Sequence, residues 1–438
     1  MKRVLIITYY WPPSGGAGVQ RWLKFVKYLH EFGWEPVVYT PLNPEIPYKD
    51  ETLLSDIPAG TEIIGSNIFE PYQLYNYFTG KKKDTKFQHG FLKDSKSAKT
   101  SVAEKLAVWI RGNIFIPDAR RFWIGPSVKY LKQYLHKHPV DLIVSTGPPH
   151  SLHLIARALK KKTSLPWLAD FRDPWTGIYY FDKLMLSQQA KQKHHRLEQA
   201  CLDEADHVVT VGATMKRDFG KRTSTPITVI TNGFDESDFA ALTADAQPQF
   251  SIFYSGMFLP DQNPPELWEV LAEMTAEDPA FAGSLRLHFT GRCDAGILQD
   301  IENHGLSKYL QLQDYVPHAQ LPALQQSASL LLLSINRIEN ASYILTGKVF
   351  EYLAAGRPIL AFCPAESDVA GVIRETSSGY TIDFGQKAVL KALLNELFAQ
   401  YKANKLVLTG QDSRAYTRRA LTQQMAGIFD ALTAQKHA

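Results

Sequence analysis

Short continuous apolar runs, each followed by a helical pattern, recur along this chain and leave few folds open to it. In the first half the runs are "RVLIIT" (3–8), "PVVYT" (36–40), "DLIVST" (141–146), "WLADF" (167–171), "HVVTV" (207–211) and "ITVIT" (227–231). Helical spacing lies between them over roughly 18–32, 150–162 and 187–204, with Trp22, Leu23, Val26 and Leu29 on one face of the first. A strand apolar at every position needs cover on both faces. Strand–helix alternation supplies it in an α/β, doubly wound parallel sheet.

The rhythm restarts with "FSIFYSG" (250–256), a helix from about 264, "SLRLHFTG" (284–291), "SLLLLSI" (329–335), a helix near 347–355 and "RPILAF" (357–362). A chain of 438 residues also exceeds what one core serves. The expectation is two doubly wound domains, 1–240 and 241–410, linked by the small and acidic "DESDFAALTADAQPQ" (235–249). A last helix within 411–438 would pack back across the seam between them. Ligands of such sheets bind beyond the carboxyl ends of the strands, so two facing domains would share a cleft.

Composition narrows the class. An apolar fraction of 45% with 21% charged residues fits a soluble globular protein, and a net charge of +4 is too small to argue for nucleic acid. The three cysteines, Cys201, Cys293 and Cys363, form no CxxC pair or disulfide framework, which fits a reducing cytoplasm. "MKRVLIITYY" meets "WPPSGG" with no cleavage site and reads as a buried strand, and "SLLLLSI" is too short to span a bilayer. Residues 81–111 break the pattern with nine Lys or Arg against three acids, interleaved with Phe87, Phe91, Leu92, Leu106, Val108, Trp109 and Ile110. Two readings stay open for this insertion: attraction to the anionic inner face of the cytoplasmic membrane, or a solvated loop before an ordinary helix.

Three stretches carry polar chemistry. In "YYWPPSGGAGVQRW" (9–22), Gly15, Gly16 and Gly18 separate the first strand from a helix, where free N–H groups favour an anion. The spacing is neither GxGxxG nor GxxxxGK[ST], so an anion site and a plain tight turn are both open. "WLADFRDPW" (167–175) sets Asp170, Arg172 and Asp173 at a strand's carboxyl end, as a clamp for the turn or as a group holding a sugar hydroxyl beside a reacting carbon. "TGKVFEYLAAGRPIL" (346–360) puts Thr346, Gly347 and Lys348 at a helix start and Glu351 one turn in. Such an N-terminus with an added lysine neutralises phosphates, and a carboxylate one turn later accepts hydrogen bonds from a ribose diol. No metal-ligand spacing is present, so no cofactor or metal is expected. His150 and the pair His194-His195 read as surface or capping residues.

In this order, the Gly-Gly loop, "TNGFD" (231–235) and "GKVFEYLAAGRPIL" resemble the family-4 retaining glycosyltransferases of the GT-B fold. "STGPPHSLHLIARAL" (145–159) and "WLADFRDPW" are similar to a bacterial branch acting in surface polysaccharide assembly. The resemblance implies transfer of a sugar from a nucleotide-sugar donor, held by the C-terminal domain, to a glycan or lipid-linked acceptor, held by the N-terminal domain. It implies that Glu351 holds the donor ribose and that Gly15 and Gly16 approach the donor phosphates. It puts the strand-end polar group of the N-domain at Asp170 or Asp173. Two positions depart from the family. Tyr343 stands where a glutamate is common, and "YSGMFLPDQNPPEL" (254–267) lacks the usual Arg…Lys pair after Gly256. Lys348, with Arg292 or Arg337, is the candidate for the missing phosphate charge. A non-hydrolysing sugar-nucleotide epimerase and a non-catalytic nucleotide-sugar-binding partner are the alternatives.

Overall fold

The computed structural model describes residues 1–46, 49–70, 102–179, 181–239, 249–314, 316, 320–406 and 413–434. It divides into two compact units, Met1–Thr231 with Arg419–Ala438, and Asn232–Arg418.

The first unit is built on β1 (Lys2–Ile7), β2 (Trp34–Pro41), β3 (Glu62–Ser66), β4 (Leu142–Gly147), β5 (Trp167–Phe171), β6 (His207–Thr210) and β7 (Ile227–Val229). They form one sheet in the order β3-β2-β1-β4-β5-β6-β7, parallel throughout. Val4 and Ile6 of the central strand are fully buried and pack with Trp22, Val26 and Leu29 of α1 (Ala17–Leu29). The final helix, Arg418–Ala434, adds Leu421, Met425 and Phe429 to that same core, with Phe429 edge-on to Trp34 at 5.2 Å. The core of this unit is therefore assembled from both ends of the chain.

The second unit holds β8 (Phe250–Ser255), β9 (Leu285–Thr290), β10 (Leu310–Gln313), β11 (Leu330–Ser334), β12 (Ile359–Phe362) and β13 (Gly379–Ile382), in the order β10-β9-β8-β11-β12-β13, again all parallel. The division between units falls at Thr231, before the acidic stretch rather than within it. The reason is local: the Phe234 amide donates to the Tyr416 carbonyl (3.0 Å), and the Arg418 amide donates back to Phe234 (2.7 Å). Phe234 is thus already pinned to the segment by which the chain leaves the second unit.

The architecture is the expected one of two parallel, helix-covered sheets. Three strands that periodicity does not reveal, β3, β10 and β13, are all at sheet edges. An edge strand is covered on fewer sides, so "EIIGS", "LQLQ" and "GYTI" keep polar or exposed positions and lack the continuous apolar signature. Of the basic insertion, 81–101 lies outside the described residues, including Phe87, Phe91 and Leu92. Its end forms the helix Val102–Asn113, on which Trp109 is exposed. Among the described residues no helix is long and apolar enough to cross a membrane.

Candidate functional site

Strands β8 and β9 each run out in a glycine with left-handed backbone, Gly256 at φ 98° and Gly291 at φ 104°. A Cβ on Gly291 would stand 2.7 Å from the Gly256 carbonyl oxygen, and one on Gly256 would stand 3.2 Å from Lys348 Cε. The two strand ends therefore meet as bare backbone, and the Gly256 end lies beneath a lysine. Gly291→Ala should cost about 1–3 kcal/mol through strain alone, read as a lower melting temperature of the second unit. An unchanged melting temperature would show that the two strand ends do not meet.

The lysine comes from the helix Gly347–Ala355. Thr346 caps it, its hydroxyl accepting from the Lys348 amide (3.3 Å), while Val349, Phe350, Tyr352 and Leu353 are buried and fix it in the unit's core. Lys348 Nζ donates to the Tyr254 hydroxyl (2.6 Å), which in turn donates to the Met257 carbonyl (2.8 Å). Burial strips the ammonium of water and lowers its pKa to about 8, with the Glu351 carboxylate pulling the other way. Glu351 lies on the same helix, and Gln325 Nε2 is 3.5 Å from its Oε2. Gly256, Thr346, Gly347, Lys348 and Glu351 are thus gathered around one helix N-terminus beyond the carboxyl end of the sheet.

The two arginines part company. Arg292 follows Gly291 at the end of β9 and is exposed. Arg337 is a correction to the phosphate-charge expectation. Its Nη2 bonds both carboxylate oxygens of the buried Glu266, and its guanidinium lies over Phe384 at 4.6 Å. A cation already matched to a buried carboxylate is committed to holding the fold.

In the first unit the two aspartates differ as sharply. Asp170, at the end of β5, is fully buried. Its Oδ1 accepts from Arg21 Nη2 (2.8 Å), and its Oδ2 accepts from Trp22 Nε1 (2.7 Å) and Thr146 Oγ1 (2.8 Å). Burial alone would raise this carboxyl; the charge of Arg21 and those hydrogen bonds outweigh it and hold it below the ordinary range. Arg21 Nε, 3.2 Å from Oδ1 and 3.1 Å from Oδ2, takes the acceptor capacity those three bonds leave, so Asp170 drops out as a reacting group and stands as the anchor of α1. Asp173 is exposed, and no hydrogen bond to its carboxylate is found among the described residues.

The same anchoring shapes the glycine loop. Gly16, at φ 105°, starts α1 with no side-chain cap, and Gly15 beside it is buried. Arg172 ties the loop down: its Nη1 donates to the Gly18 carbonyl (2.9 Å), its Nη2 to the Pro148 carbonyl, and its guanidinium lies over Tyr10 at 5.7 Å. Beyond Asp173, buried Glu198 accepts from the amides of Trp175 and Thr176 (both 3.1 Å) and fixes the turn.

His150 and His194 are not surface residues, because aromatic rings cover them. His150 stacks on Trp175 at 4.9 Å, and Trp175 Nε1 donates to His194 Nδ1 (3.0 Å). Sequence reasoning missed Tyr254, Gly291 and Glu198, and it placed Arg172 at the strand end without the glycine loop that it ties down. Only Gly291 carried a signal, since "SLRLHFTG" ends in glycine as "FSIFYSG" does.

Two parallel-sheet units of this kind, the second with a glycine floor and a lysine-bearing helix N-terminus at its strand ends, define the GT-B class. The structure resembles sucrose-phosphate synthase from Thermosynechococcus elongatus at 14% identity and TM-score 0.63, over 99% of this chain and 100% of that one. It also resembles WaaG, a glycosyltransferase involved in lipopolysaccharide biosynthesis (15%, TM-score 0.56, 97% and 99%). A third likeness is to Anabaena HepE in complex with UDP-glucose (13%, TM-score 0.52, 99% and 98%). Residues 93–238 match the model of Glycosyltransferase Family 4. No curated protein matches the sequence significantly. Among the described residues no cluster of three or more His, Cys, Asp or Glu could hold a metal ion.

Proposed function

We propose that this chain is a retaining glycosyltransferase that moves a sugar from a nucleotide-diphosphate sugar to a glycan or lipid-linked acceptor in cell-surface polysaccharide assembly. One observation carries the reading: left-handed Gly256 lies under Lys348, with Gly291 packed against the Gly256 backbone and Glu351 one helical turn on. Bare backbone, a helix N-terminus and a desolvated cation together suit a diphosphate, and the carboxylate suits a ribose diol. That the HepE neighbour was solved with UDP-glucose supports a nucleotide-sugar donor here.

Retention requires the acceptor to attack from the face that the diphosphate leaves. A leaving phosphate oxygen then takes the acceptor's proton while the C–O bond to phosphate breaks and the new glycosidic bond forms. The protein's part is positioning and charge stabilisation, with Lys348 holding the departing phosphates and no resident metal. Asp173, Gly15 and Gly16 are the first unit's candidates for the sugar and acceptor, and Arg292 the second cation for the donor. The chain works at the cytoplasmic membrane face, held there peripherally by the basic segment 81–111.

A thermal-shift screen against UDP-, GDP-, ADP- and CMP-sugars tests the donor site. One selective donor at a hundred times its Kd should stabilise the chain by about 2.7 kcal/mol. That shift should shrink as pH rises through about 8, where Lys348 loses its proton. No shift with any donor, or one indifferent to pH, would count against the site. Conversion of the donor sugar without acceptor would instead favour the epimerase reading. A neighbour described as a putative UDP-N-acetylglucosamine 2-epimerase from Listeria monocytogenes has the same fold (TM-score 0.55, 10% identity).

A further inference from the structure

On the first unit, a surface groove of about 690 Å³ runs between the helices Ile124–Lys137 and Ser151–Thr163. Ile124 and Val128 give it apolar lining; Lys129, Lys132 and Lys162 give it cations, and His136 also lines it. Neither helix contains a single Asp or Glu. Basic residues in a last turn ordinarily complement the helix dipole, and part of the charge is explained in that way. Lys160 bridges to Asp206 (2.7 Å) and Lys161 to Glu204 (2.9 Å). That account does not reach Lys129 and Lys132, which sit mid-helix, nor Lys162, which lines the groove. No ion pair to any of the three is found among the described residues.

The chain leading into the first helix adds exposed rings. Phe122 is 44% and Phe69 57% exposed; they meet edge to face at 6.0 Å, with Phe115 against Phe122 at 6.0 Å and Arg121 over Phe122 at 5.5 Å. Exposed aromatics beside unpaired lysines over an apolar floor are the composition of a surface that meets lipid headgroups. We infer that this groove and its aromatic flank form a docking surface for an anionic phospholipid membrane, the lysines receiving headgroup phosphates. The inference rests on the peripheral-attachment reading for its choice of partner, and places the contact on residues outside 81–111.

The test is flotation of the full chain with phosphatidylcholine vesicles, with and without phosphatidylglycerol, at low and high salt. Three variants are compared: Lys129→Glu/Lys132→Glu/Lys162→Glu in the groove, Lys81→Gln/Lys82→Gln/Lys83→Gln in the insertion, and Lys193→Glu/Lys216→Glu/Lys308→Glu elsewhere. At roughly 1 kcal/mol per lysine, the groove triple should weaken binding to anionic vesicles about a hundredfold. It should keep the wild-type melting temperature, and the third variant should bind nearly as wild type. Loss confined to the insertion variant overturns the groove while the attachment reading stands. Wild-type protein that never floats overturns both. Groove-dependent retention on heparin without flotation would assign the surface to a soluble polyanion and overturn the lipid.

Discussion

Lys348→Ala is expected to lower donor turnover by roughly 10²–10³-fold while leaving the fold intact. Its ammonium is the cation beside the Gly256–Gly291 floor, and losing one preorganised charge at a developing anion typically costs roughly 2.7–4 kcal/mol of barrier. The fold should survive because the side chain belongs to no core cluster and its desolvated charge opposes burial. Glu351→Ala should act differently, weakening donor binding more than the chemical step, since a ribose contact is made in ground and transition states alike. The two variants are separated by kcat against KM, with melting curves as the control. Near-normal turnover by both would sink the donor assignment.

The second large effect is on stability. Asp170→Ala leaves the Arg21 guanidinium buried without its carboxylate, and breaking such a pair costs about 3–5 kcal/mol. For a unit of this size that should lower the melting temperature by roughly 6–20 °C. Asp173→Asn should melt as wild type, within about 0.5 kcal/mol for an exposed site, yet lose turnover on the order of a hundredfold. An Asp170→Ala protein with unchanged melting would refute the anchor; full activity of Asp173→Asn would remove Asp173 from the site.

How far the sequence could be read depends on what each feature rests on. "WLADF" predicts β5 residue for residue because a strand enclosed on both sides is apolar nearly throughout, with Asp170 the one exception. The helix 347–355 is equally clear, with Thr346 before it and Gly356 after it in left-handed conformation. What stayed hidden was pairing at a distance. Nothing near Asp170 in sequence announces Arg21, and nothing near Arg337 announces Glu266, because burial and proximity are made by the sheet. A charged residue at a strand end looks the same whether solvent or a buried counter-ion faces it. Tyr254 was invisible for a related reason: inside an apolar run, a tyrosine shows nothing of the lysine its hydroxyl will meet.

The last helix has a consequence in time. Met425 and Phe429 share a core with Trp22 and Trp34, so the first unit lacks part of its interior until residues 418–434 have been made. The second unit, Asn232–Arg418, is uninterrupted in sequence and can close while the rest is still being made. Synthesis and folding then run in opposite order for the two units: the one whose sheet is made earlier closes later, and a chain cut before Arg418 would strip that sheet of part of its lining.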